Sequence, residues 1–340
     1  MEPITINTES GLSRILIAER LENLERYIPG EKPIVITDVN VGKLYPLDAM
    51  ASNVITIGAG EANKTLDTIQ EIYAQLLSIQ ADRSAFVVGV GGGMVCDITG
   101  FAASTFMRGI RFGFVATTLL AQVDASVGGK NGVNFQGYKN MIGLFQQPEF
   151  VICDLELLKT LPPAEISCGL AEIVKHAAIA DADLFTYLEK HAASILALDA
   201  TAIQKLVRAS VHIKSSIVSR DETEKGERRL LNFGHTFGHA IEKVNGVSHG
   251  EAVSMGMVMA SALSVKKGLM SIQEDRRLRD LLKRLKLPST FAASPHEILD
   301  AVAKDKKRSG DHIHVVLLNG LGKAVVEPIT IEEFKETLNA

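Results

Sequence analysis

The chain has 340 residues, and its 36 lysines and arginines stand against 40 aspartates and glutamates, for a formal net charge of −4. That length exceeds what one hydrophobic core usually supports, so we expect two domains. With this net charge the chain has no overall positive field that would attract a nucleic acid. The longest apolar run, near 255–265, is too short to span a bilayer.

Cysteine usage and the first residues indicate the compartment. Cys96, Cys153 and Cys168 cannot pair evenly and lack CxxC spacing, which fits a reducing environment. The amino terminus has neither the basic region nor the apolar region of a secretory signal. We therefore expect a cytoplasmic protein with no nucleic-acid partner and no membrane partner.

Strand-like and helix-like patterns alternate along the first 161 residues. Helical periodicity runs from Thr65 to Ile79. The predicted strands, rich in β-branched and aromatic residues, are Pro33–Thr37, Asn53–Ile57, Ser84–Gly89, Phe112–Ala116 and Phe150–Cys153. Such alternation is typical of a mostly parallel sheet covered by helices, so we predict an α/β domain over residues 1–161.

A glycine turn is the first feature of this domain that indicates chemistry. Three glycines, Gly91 to Gly93, follow an apolar strand pattern and precede a helix predicted from about Met94 to Phe106. Bare backbone at a helix N-terminus suits a pyrophosphate, although glycine turns without a ligand also occur. Asp38 follows another strand, where it would accept a hydrogen bond from a ribose hydroxyl or serve as a turn or cap residue.

A polar, glycine-rich region follows, covering 117–131 and 137–143. It contains two lysines, Lys130 and Lys139, flanked closely by glycines. We interpret it as a loop that holds charged groups for an anionic ligand, the alternative being an ordinary solvated loop.

Helical patterns dominate from Pro162 onward, so we predict a second, mostly α-helical domain over residues 162–340. The apolar run near 255–265 would serve equally well in the core of this domain or in a dimer contact, and we favour the core. Late in the chain, His312–Leu318, a turn at Asn319-Gly320 and Lys323–Val326 predict a small hairpin.

Three of the nine histidines cluster at His235, His239 and His249. A spacing of four places His235 and His239 on one face of a helix, as in pairs of zinc ligands. Ser248 and Glu251 form the pattern of a capping box, and Gly246 suits the left-handed end of the preceding helix. Glu172, an acidic residue in an apolar helical pattern, is a candidate third ligand. Satisfied structural histidines are the alternative.

Five segments together resemble one enzyme family. They are Gly-Gly-Gly-Met-Val-Cys-Asp-Ile-Thr-Gly-Phe-Ala-Ala (91–103), Gln-Val-Asp-Ala-Ser-Val-Gly-Gly-Lys (122–130), Lys-Thr-Leu-Pro-Pro (159–163), Gly-Leu-Ala-Glu-Ile-Val-Lys (169–175) and Leu-Asn-Phe-Gly-His-Thr-Phe-Gly-His-Ala-Ile-Glu (231–242). In this order they are similar to the 3-dehydroquinate synthase family. Cys96 is a departure, because many members have glycine there, but a small side chain still fits a helix start.

The resemblance implies a Rossmann-like α/β domain followed by an α-helical domain, usually in a homodimer. It implies conversion of 3-deoxy-D-arabino-heptulosonate 7-phosphate, a sugar phosphate, to 3-dehydroquinate and phosphate in the shikimate pathway. The implied route is transient oxidation by NAD, phosphate elimination, reduction and aldol cyclisation, with Zn²⁺ or Co²⁺ bound.

Site residues implied by the resemblance fall into three sets. The metal ligands would be Glu172, His235 and His249, so that His239, contrary to the spacing argument, would face the substrate. The NAD contacts would be Asp38, Asn40, Glu61, Lys64, Gly92, Gly93, Met94, Asp97, Thr117, Thr118, Lys130, Lys139, Lys159 and Thr160. The substrate contacts would be Arg108, Asp124, Lys130, Asn140, Lys175, Lys214, Arg228, Asn232, His239 and one of Lys306 or Lys307. Glu224 and His239 would transfer protons.

Three other classes stay open at this stage. A sister sugar-phosphate cyclase, such as a 2-deoxy-scyllo-inosose or valiolone-type synthase, would share metal, cofactor and fold. A polyol dehydrogenase of the glycerol dehydrogenase type would share the two-domain layout but release reduced cofactor. A non-catalytic NAD-binding protein would keep the glycine turn without needing the full set of ligands and lysines.

Overall fold

The computed structural model describes residues 2–30, 32–290, 297–298, 308–309 and 312–338. The chain divides into two compact units. The first comprises Met1–Leu161 with Lys214–Thr223, and the second comprises Pro162–Ile213 with Glu224–Ala340.

The first unit is built on a sheet that has seven strands within the described residues. The strands of the unit are β1 (Ile4–Thr8), β2 (Gly11–Ile17), β3 (Ile34–Asp38), β4 (Asn53–Ile57), β5 (Phe86–Gly91), β6 (Arg111–Ala116), β7 (Lys130–Phe135), β8 (Tyr138–Phe145) and β9 (Phe150–Cys153). The order in the large sheet is β1-β2-β9-β6-β5-β3-β4, and only the β1–β2 pair is antiparallel. The predicted mostly parallel sheet is therefore confirmed.

Helices cover this sheet. They are α1 (Val39–Leu44), α2 (Leu66–Ser78) and α3 (Gly93–Thr105). All residues of β3 and β5 are buried, as expected for parallel strands covered on both faces. Thr65 begins α2 by accepting a hydrogen bond from the Thr68 backbone N–H at 3.3 Å, and Ile69, Ile72 and Leu76 form its buried face. The β1–β2 hairpin was not predicted.

The polar region predicted as a loop is structured, so that prediction was wrong. Residues Ala121–Ala125 form a π-helical turn, and β7 and β8 pair as an antiparallel hairpin. The glycines permit close approach: a Cβ on Gly132 would lie 2.7 Å from the Ile142 carbonyl oxygen, and one on Gly143 would lie 2.6 Å from that of Asn131. Glycine is needed here because the two backbones nearly touch. In the sequence, the same glycines give the segment the composition of a loop.

The second unit is mostly helical. Its described helices are α4 (Pro163–Ala180), α5 (Ala182–Leu196), α6 (Ala200–Arg220), α7 (His235–Asn245), α8 (His249–Lys266), α9 (Ile272–Arg284) and α10 (Ile331–Leu338). The division between the units falls within α6, at Lys214. Strands β10 (Arg308–Ser309), β11 (His312–Leu318) and β12 (Ala324–Thr330) form an antiparallel sheet, with Val316 opposite Val326. The predicted hairpin is confirmed, with a second strand that continues to Thr330.

Helix α8 forms the centre of this unit. Thirteen of its eighteen residues are buried, among them most of the run near 255–265, which confirms the core placement of that run. It begins at the predicted capping box, where the Glu251 carboxylate accepts a hydrogen bond from the Ser248 backbone N–H at 3.0 Å. Helix α7 ends at Gly246, which has the predicted left-handed conformation, with φ of 64°.

Among the described residues, no helix has both the length and the apolar character needed to cross a membrane. Cys96, Cys153 and Cys168 are all buried and form no disulfide.

Candidate active site

Three helices of the second unit bring Glu172, His235 and His249 together. Glu172 lies on α4, and the two histidines are the first residues of α7 and α8. One ligand atom from each side chain lies within 4.8 Å of the others. Two imidazole nitrogens and a carboxylate oxygen form the donor set of an open catalytic zinc site, so these residues fit a divalent ion.

The two imidazole rings are oriented as metal-binding histidines usually are. The Nε2 atoms of His235 and His249 lie 3.7 and 3.5 Å from Glu172 Oε1. Each Nδ1 faces an oxygen on the other side, the Phe233 carbonyl at 3.3 Å for His235 and Glu242 Oε2 at 3.9 Å for His249. Such outer acceptors fix the ring and leave Nε2 for the metal. Glu242 was not identified from the sequence, although it lies in the segment that carries the family resemblance.

Charge is concentrated around this cluster. Glu172 is fully buried and forms an ion pair with Lys175, which is itself 1% exposed. Burial, reinforced by the Lys175 charge, lowers the pKa of His235 well below its ordinary value. Burial also disfavours the charged form of His249, but hydrogen bonds to Glu172 and Glu242 outweigh it and raise the pKa to about 9.

His239 lies beside this cluster. Its ring centroid is 5.3 Å from that of His235 and 6.3 Å from that of His249. In the part of the chain that the structure describes, His239 joins no group of three close metal donors. The geometry thus favours the ligand set implied by the resemblance over the His235–His239 pair suggested by spacing.

Further polar residues of the second unit meet just before α7. Arg228 and Asn232 belong to a short 3₁₀ helix, and Arg228 is buried. The Asn232 side-chain amide donates a hydrogen bond to Glu224 Oε1. Glu224 has a φ of 61°, which is unusual for a residue other than glycine. Such a conformation often marks a functional position.

In the first unit, β5 meets α3 at the predicted glycine turn. A Cβ on Gly93 would lie 2.8 Å from Ala125 Cβ, and one on Gly92 would lie 3.0 Å from Thr118 Cγ2. Helix α3 starts after Gly92, which has no side chain to cap the first amides. This arrangement fits a dinucleotide pyrophosphate, which needs bare backbone at a helix N-terminus.

Lys64 links two of the implied site residues of the first unit. It is buried, forms an ion pair with Asp97 on α3, and donates a hydrogen bond to Asn140 Oδ1 at 2.6 Å. Burial raises the pKa of Asp97, while the Lys64 charge opposes that shift. Asn140 has a φ of 51°.

Asp38 caps α1. Its Oδ1 accepts hydrogen bonds from the backbone N–H groups of Asn40 and Val41, at 2.8 and 3.2 Å. The cap interpretation is therefore confirmed, and the ribose contact stays a prediction.

Other implied residues of the first unit have these neighbours. Lys214 Nζ donates to Asp124 Oδ1 at 2.5 Å and to its carbonyl oxygen at 2.7 Å. Thr118 Oγ1 accepts from the Ala121 backbone N–H at 3.1 Å. Further contacts are those of Thr117 N–H with the Gly91 carbonyl at 2.9 Å, Lys159 with Glu156 at 2.8 Å, and Thr160 Oγ1 with the Tyr45 hydroxyl at 3.0 Å.

Arg108 has a φ of 70° and lines a cavity of about 290 Å³ with Arg83 and Arg111. Lys306 and Lys307 lie outside the described residues.

Comparison with protein families gives two matches. Residues 54–168 match the family described as 3-dehydroquinate synthase N-terminal, and residues 169–308 match 3-dehydroquinate synthase C-terminal. A 3-dehydroquinate synthase of Psychrobacter cryohalolentis is 40% identical over 95% of this chain and 93% of its own length.

Solved structures of related cyclases share the fold. A 2-deoxy-scyllo-inosose synthase complexed with carbaglucose-6-phosphate, NAD⁺ and Co²⁺ is 27% identical, covers 99% of both chains and has a TM-score of 0.90. The 2-epi-5-epi-valiolone synthase of Streptomyces hygroscopicus, with NAD⁺ and Zn²⁺ bound, is 31% identical over 91% of this chain and 90% of its own, with a TM-score of 0.85. Together with the family matches and the full-length relative, these likenesses lead to one conclusion: the chain belongs to the 3-dehydroquinate synthase family.

Proposed function

We propose that this chain converts 3-deoxy-D-arabino-heptulosonate 7-phosphate to 3-dehydroquinate and phosphate. The observation that carries the proposal is the 40% identity to a 3-dehydroquinate synthase along nearly the whole chain. The sister cyclases named above are 27% and 31% identical. Because they share the fold, the substrate assignment rests on this closer relation and not on the architecture.

The proposal includes NAD and one Zn²⁺ or Co²⁺ ion. At the glycine turn of the first unit, Cβ atoms on Gly92 and Gly93 would crowd Thr118 and Ala125, so the start of α3 keeps a bare backbone that suits a pyrophosphate, and both sister structures contain NAD⁺. Glu172, His235 and His249 supply a donor set suited to zinc, and the sister structures contain Co²⁺ or Zn²⁺. When bound, these groups would supply reversible hydride acceptance and Lewis acidity toward the substrate hydroxyls.

Residues of the second unit perform the proposed acid–base work. We assign proton transfer to His239 and Glu224, because His239 adjoins the metal donors and Asn232 holds the Glu224 carboxylate. Lys175 and Arg228 are buried cations, suited to a substrate that carries a carboxylate and a phosphate.

In the first unit, Lys214 is fixed against Asp124, and Lys64 is fixed against Asp97 and Asn140. These anchored groups suit substrate and cofactor contacts that must keep one geometry. We propose the same for Arg108, Lys130 and Lys139.

The net reaction neither oxidises nor reduces the sugar phosphate. The oxidation at C5 acidifies the C6 proton, phosphate leaves from C7 as that proton is removed, and the ketone is then reduced. Ring opening and an intramolecular aldol addition complete the carbocycle. NAD is therefore catalytic and is not consumed.

We also propose that the chain is a cytoplasmic homodimer, as the family resemblance implies. Sedimentation equilibrium of the purified protein at micromolar concentration tests the stoichiometry. A mass of one chain at all concentrations would rule out the dimer.

A substrate comparison tests the assignment against the sister cyclases. Purified, zinc-loaded protein is supplied with NAD⁺ and, in separate reactions, with the heptulosonate phosphate, glucose 6-phosphate or sedoheptulose 7-phosphate. We expect 3-dehydroquinate, identified by mass and chromatography, from the first reaction only. A carbocycle from one of the other sugars alone would move the protein to a sister cyclase.

A further inference from the structure

Strand β7 contains an irregularity at Asn134. Val133 pairs with Ile142 and Phe135 pairs with Tyr138, so the register of the β7–β8 hairpin shifts between Val133 and Phe135. The Asn134 backbone N–H donates to the carbonyl oxygen of Lys64 at 2.8 Å. A strand residue is thus turned from its own hairpin toward the turn that contains Glu61 and Lys64, as bulges near functional sites often do.

The side-chain amide of Asn134 forms two hydrogen bonds, one through its nitrogen and one through its oxygen. Its Nδ2 donates to Glu61 Oε1 at 2.9 Å. Its Oδ1 accepts from the backbone N–H of Asn140 at 2.9 Å. Among the common side chains of this length, only asparagine supplies a donor and an acceptor in this geometry.

These bonds close a ring of interactions. Asn134 joins the backbones of Lys64 and Asn140, and Lys64 Nζ returns to Asn140 Oδ1 at 2.6 Å while pairing with Asp97. Asn140 holds its left-handed backbone conformation inside this ring. A conformation of this kind persists when the surroundings impose it, and the hydrogen bond from the Asn140 backbone N–H to Asn134 Oδ1 is one such restraint.

We propose that Asn134 is a positioning residue, which fixes Asn140 for the substrate and the Glu61–Lys64 turn for NAD. It touches neither ligand in this assignment and acts through residues that do. The inference rests on the proposed function, because Asn140 and the turn have these tasks only in that reaction. Loss of the ring would leave both segments free to sample other conformations and so weaken both kinds of contact.

The test compares variants of the full-length, zinc-loaded protein. Asn134→Ala removes both side-chain bonds, and Asn134→Asp keeps the acceptor for Asn140 but places a second carboxylate beside Glu61. Combining Asn134→Asp with Glu61→Gln restores the link with donor and acceptor exchanged. Gln136→Asn, at an exposed turn position of the same hairpin, is the matched control. Calorimetric titration with NAD⁺ gives Kd, and phosphate release gives kcat and KM.

We expect Asn134→Ala to raise the Kd for NAD⁺ and to lower kcat, each about tenfold, as loss of a charge-assisted and a backbone hydrogen bond implies. Asn134→Asp should raise the Kd for NAD⁺ similarly. The double variant with Asn134→Asp and Glu61→Gln should have a Kd within about threefold of that of Glu61→Gln alone, since the side chains of residues 134 and 61 are in contact. Gln136→Asn should match the parent.

A purely structural residue would give another result. If Asn134→Ala lowers only Tm and leaves Kd and kcat at parental values, or if the exchanged pair recovers nothing, the inference is overturned. A parent protein that binds NAD⁺ but releases no phosphate would contradict the proposed function instead. The NAD⁺ titrations of the variants would still decide the role of Asn134.

Discussion

Glu172 illustrates how a single buried residue organises the second unit. A fully buried carboxylate is costly unless it is paired, and here it is paired with Lys175 on the same helix and approached by two histidines. The sequence identified Glu172 as a candidate ligand because it is an acidic residue within an apolar helical pattern. The same reasoning identified the histidine cluster but paired His235 with His239, whereas the group of close donor atoms contains His249.

Helical spacing paired His235 with His239 because spacing describes contacts along one helix only. His235 and His239 share α7, yet the donor group pairs His235 with His249 from the next helix. That proximity depends on how closely α7 packs on α8. Neither the spacing nor the composition of α7 contains this information, and the family resemblance supplied it.

The first prediction compares two histidines of the cluster. His249→Ala removes a proposed metal ligand, and His239→Ala removes a neighbour that lies outside the donor group, so only the first should lose bound zinc. We expect zinc content near zero for His249→Ala and near one ion per chain for His239→Ala. Elemental analysis after dialysis against a weak chelator measures both.

His239→Ala serves as the control, since it deletes the same side chain a short distance away. It should still lose activity, by about 100-fold or more, because a general acid–base group contributes that much. Zinc lost from His239→Ala but retained by His249→Ala would contradict the proposed ligand set.

At the scale of elements, the contact between α7 and α8 depends on glycine. A Cβ on Gly256 would overlap the Gly234 carbonyl oxygen and lie 2.8 Å from the Gly238 backbone nitrogen. Gly234 directly precedes His235, so this contact also sets the distance between the two histidines at the helix starts. The close approach of two backbones thus links packing to the proposed metal site.

Gly256→Ala should therefore separate α7 from α8. We expect a loss of about 1–3 kcal/mol in stability, as for other overpacked cores, together with weaker zinc binding. Gly42→Ala is the matched control: its Cβ would lie 3.5 Å from Thr37 Cγ2, an ordinary contact between α1 and β3. Thermal unfolding and zinc titration test both variants, and equal behaviour of the two would contradict the packing argument.

The start of helix α10 is stabilised by a charged side chain, that of Glu333. The Glu333 carboxylate accepts a hydrogen bond from the Thr330 backbone N–H at 2.8 Å and pairs with Lys267 at 2.8 Å. The Lys267 hydrogen bond, with that of Thr330, lowers the pKa of Glu333 from 4.5 to about 2. A lowered pKa means that ionised Glu333 stabilises the fold above pH 4.5, and this contribution disappears as the pH falls toward 2.

Glu333→Gln should weaken α10 at neutral pH by about 1 kcal/mol, the usual value of a helix cap. The difference from the parent should shrink as the pH is lowered below 4.5. Hydrogen exchange of the α10 amides measures this local stability. Glu332→Gln is the control, because Glu332 lies next to Glu333 and forms an exposed ion pair with Lys335. A defect of Glu333→Gln that does not depend on pH would contradict the assignment.

Regular helices and strands were easier to predict from the sequence than irregular segments such as the β7–β8 hairpin. The five predicted strands of the large sheet and the helix from Thr65 were recovered because continuous apolar runs and helical periodicity each encode a buried face. The β7–β8 hairpin was missed because its polar residues bond locally and its glycines serve close approach. Asn134 was missed for a different reason, since its partners Glu61 and Lys64 are distant from it in sequence.

At the scale of the whole molecule, fold and substrate are separate questions. A TM-score of 0.90 with a 2-deoxy-scyllo-inosose synthase accompanies only 27% identity. That synthase and the valiolone synthase share this architecture, and both bind NAD⁺ and a divalent metal ion, yet they are named for different products. Fold alone therefore does not define the substrate, which is why the account depends on chemistry measured with defined substrates.

The most direct measurement is the amount of phosphate released per NAD⁺ by the purified, zinc-loaded protein acting on 3-deoxy-D-arabino-heptulosonate 7-phosphate. NAD⁺ is supplied well below the substrate concentration, and NADH absorbance is followed in the same reaction. The account predicts many phosphates per NAD⁺, 3-dehydroquinate as product and no accumulation of NADH. Stoichiometric NADH with no phosphate release would identify a dehydrogenase and contradict the account.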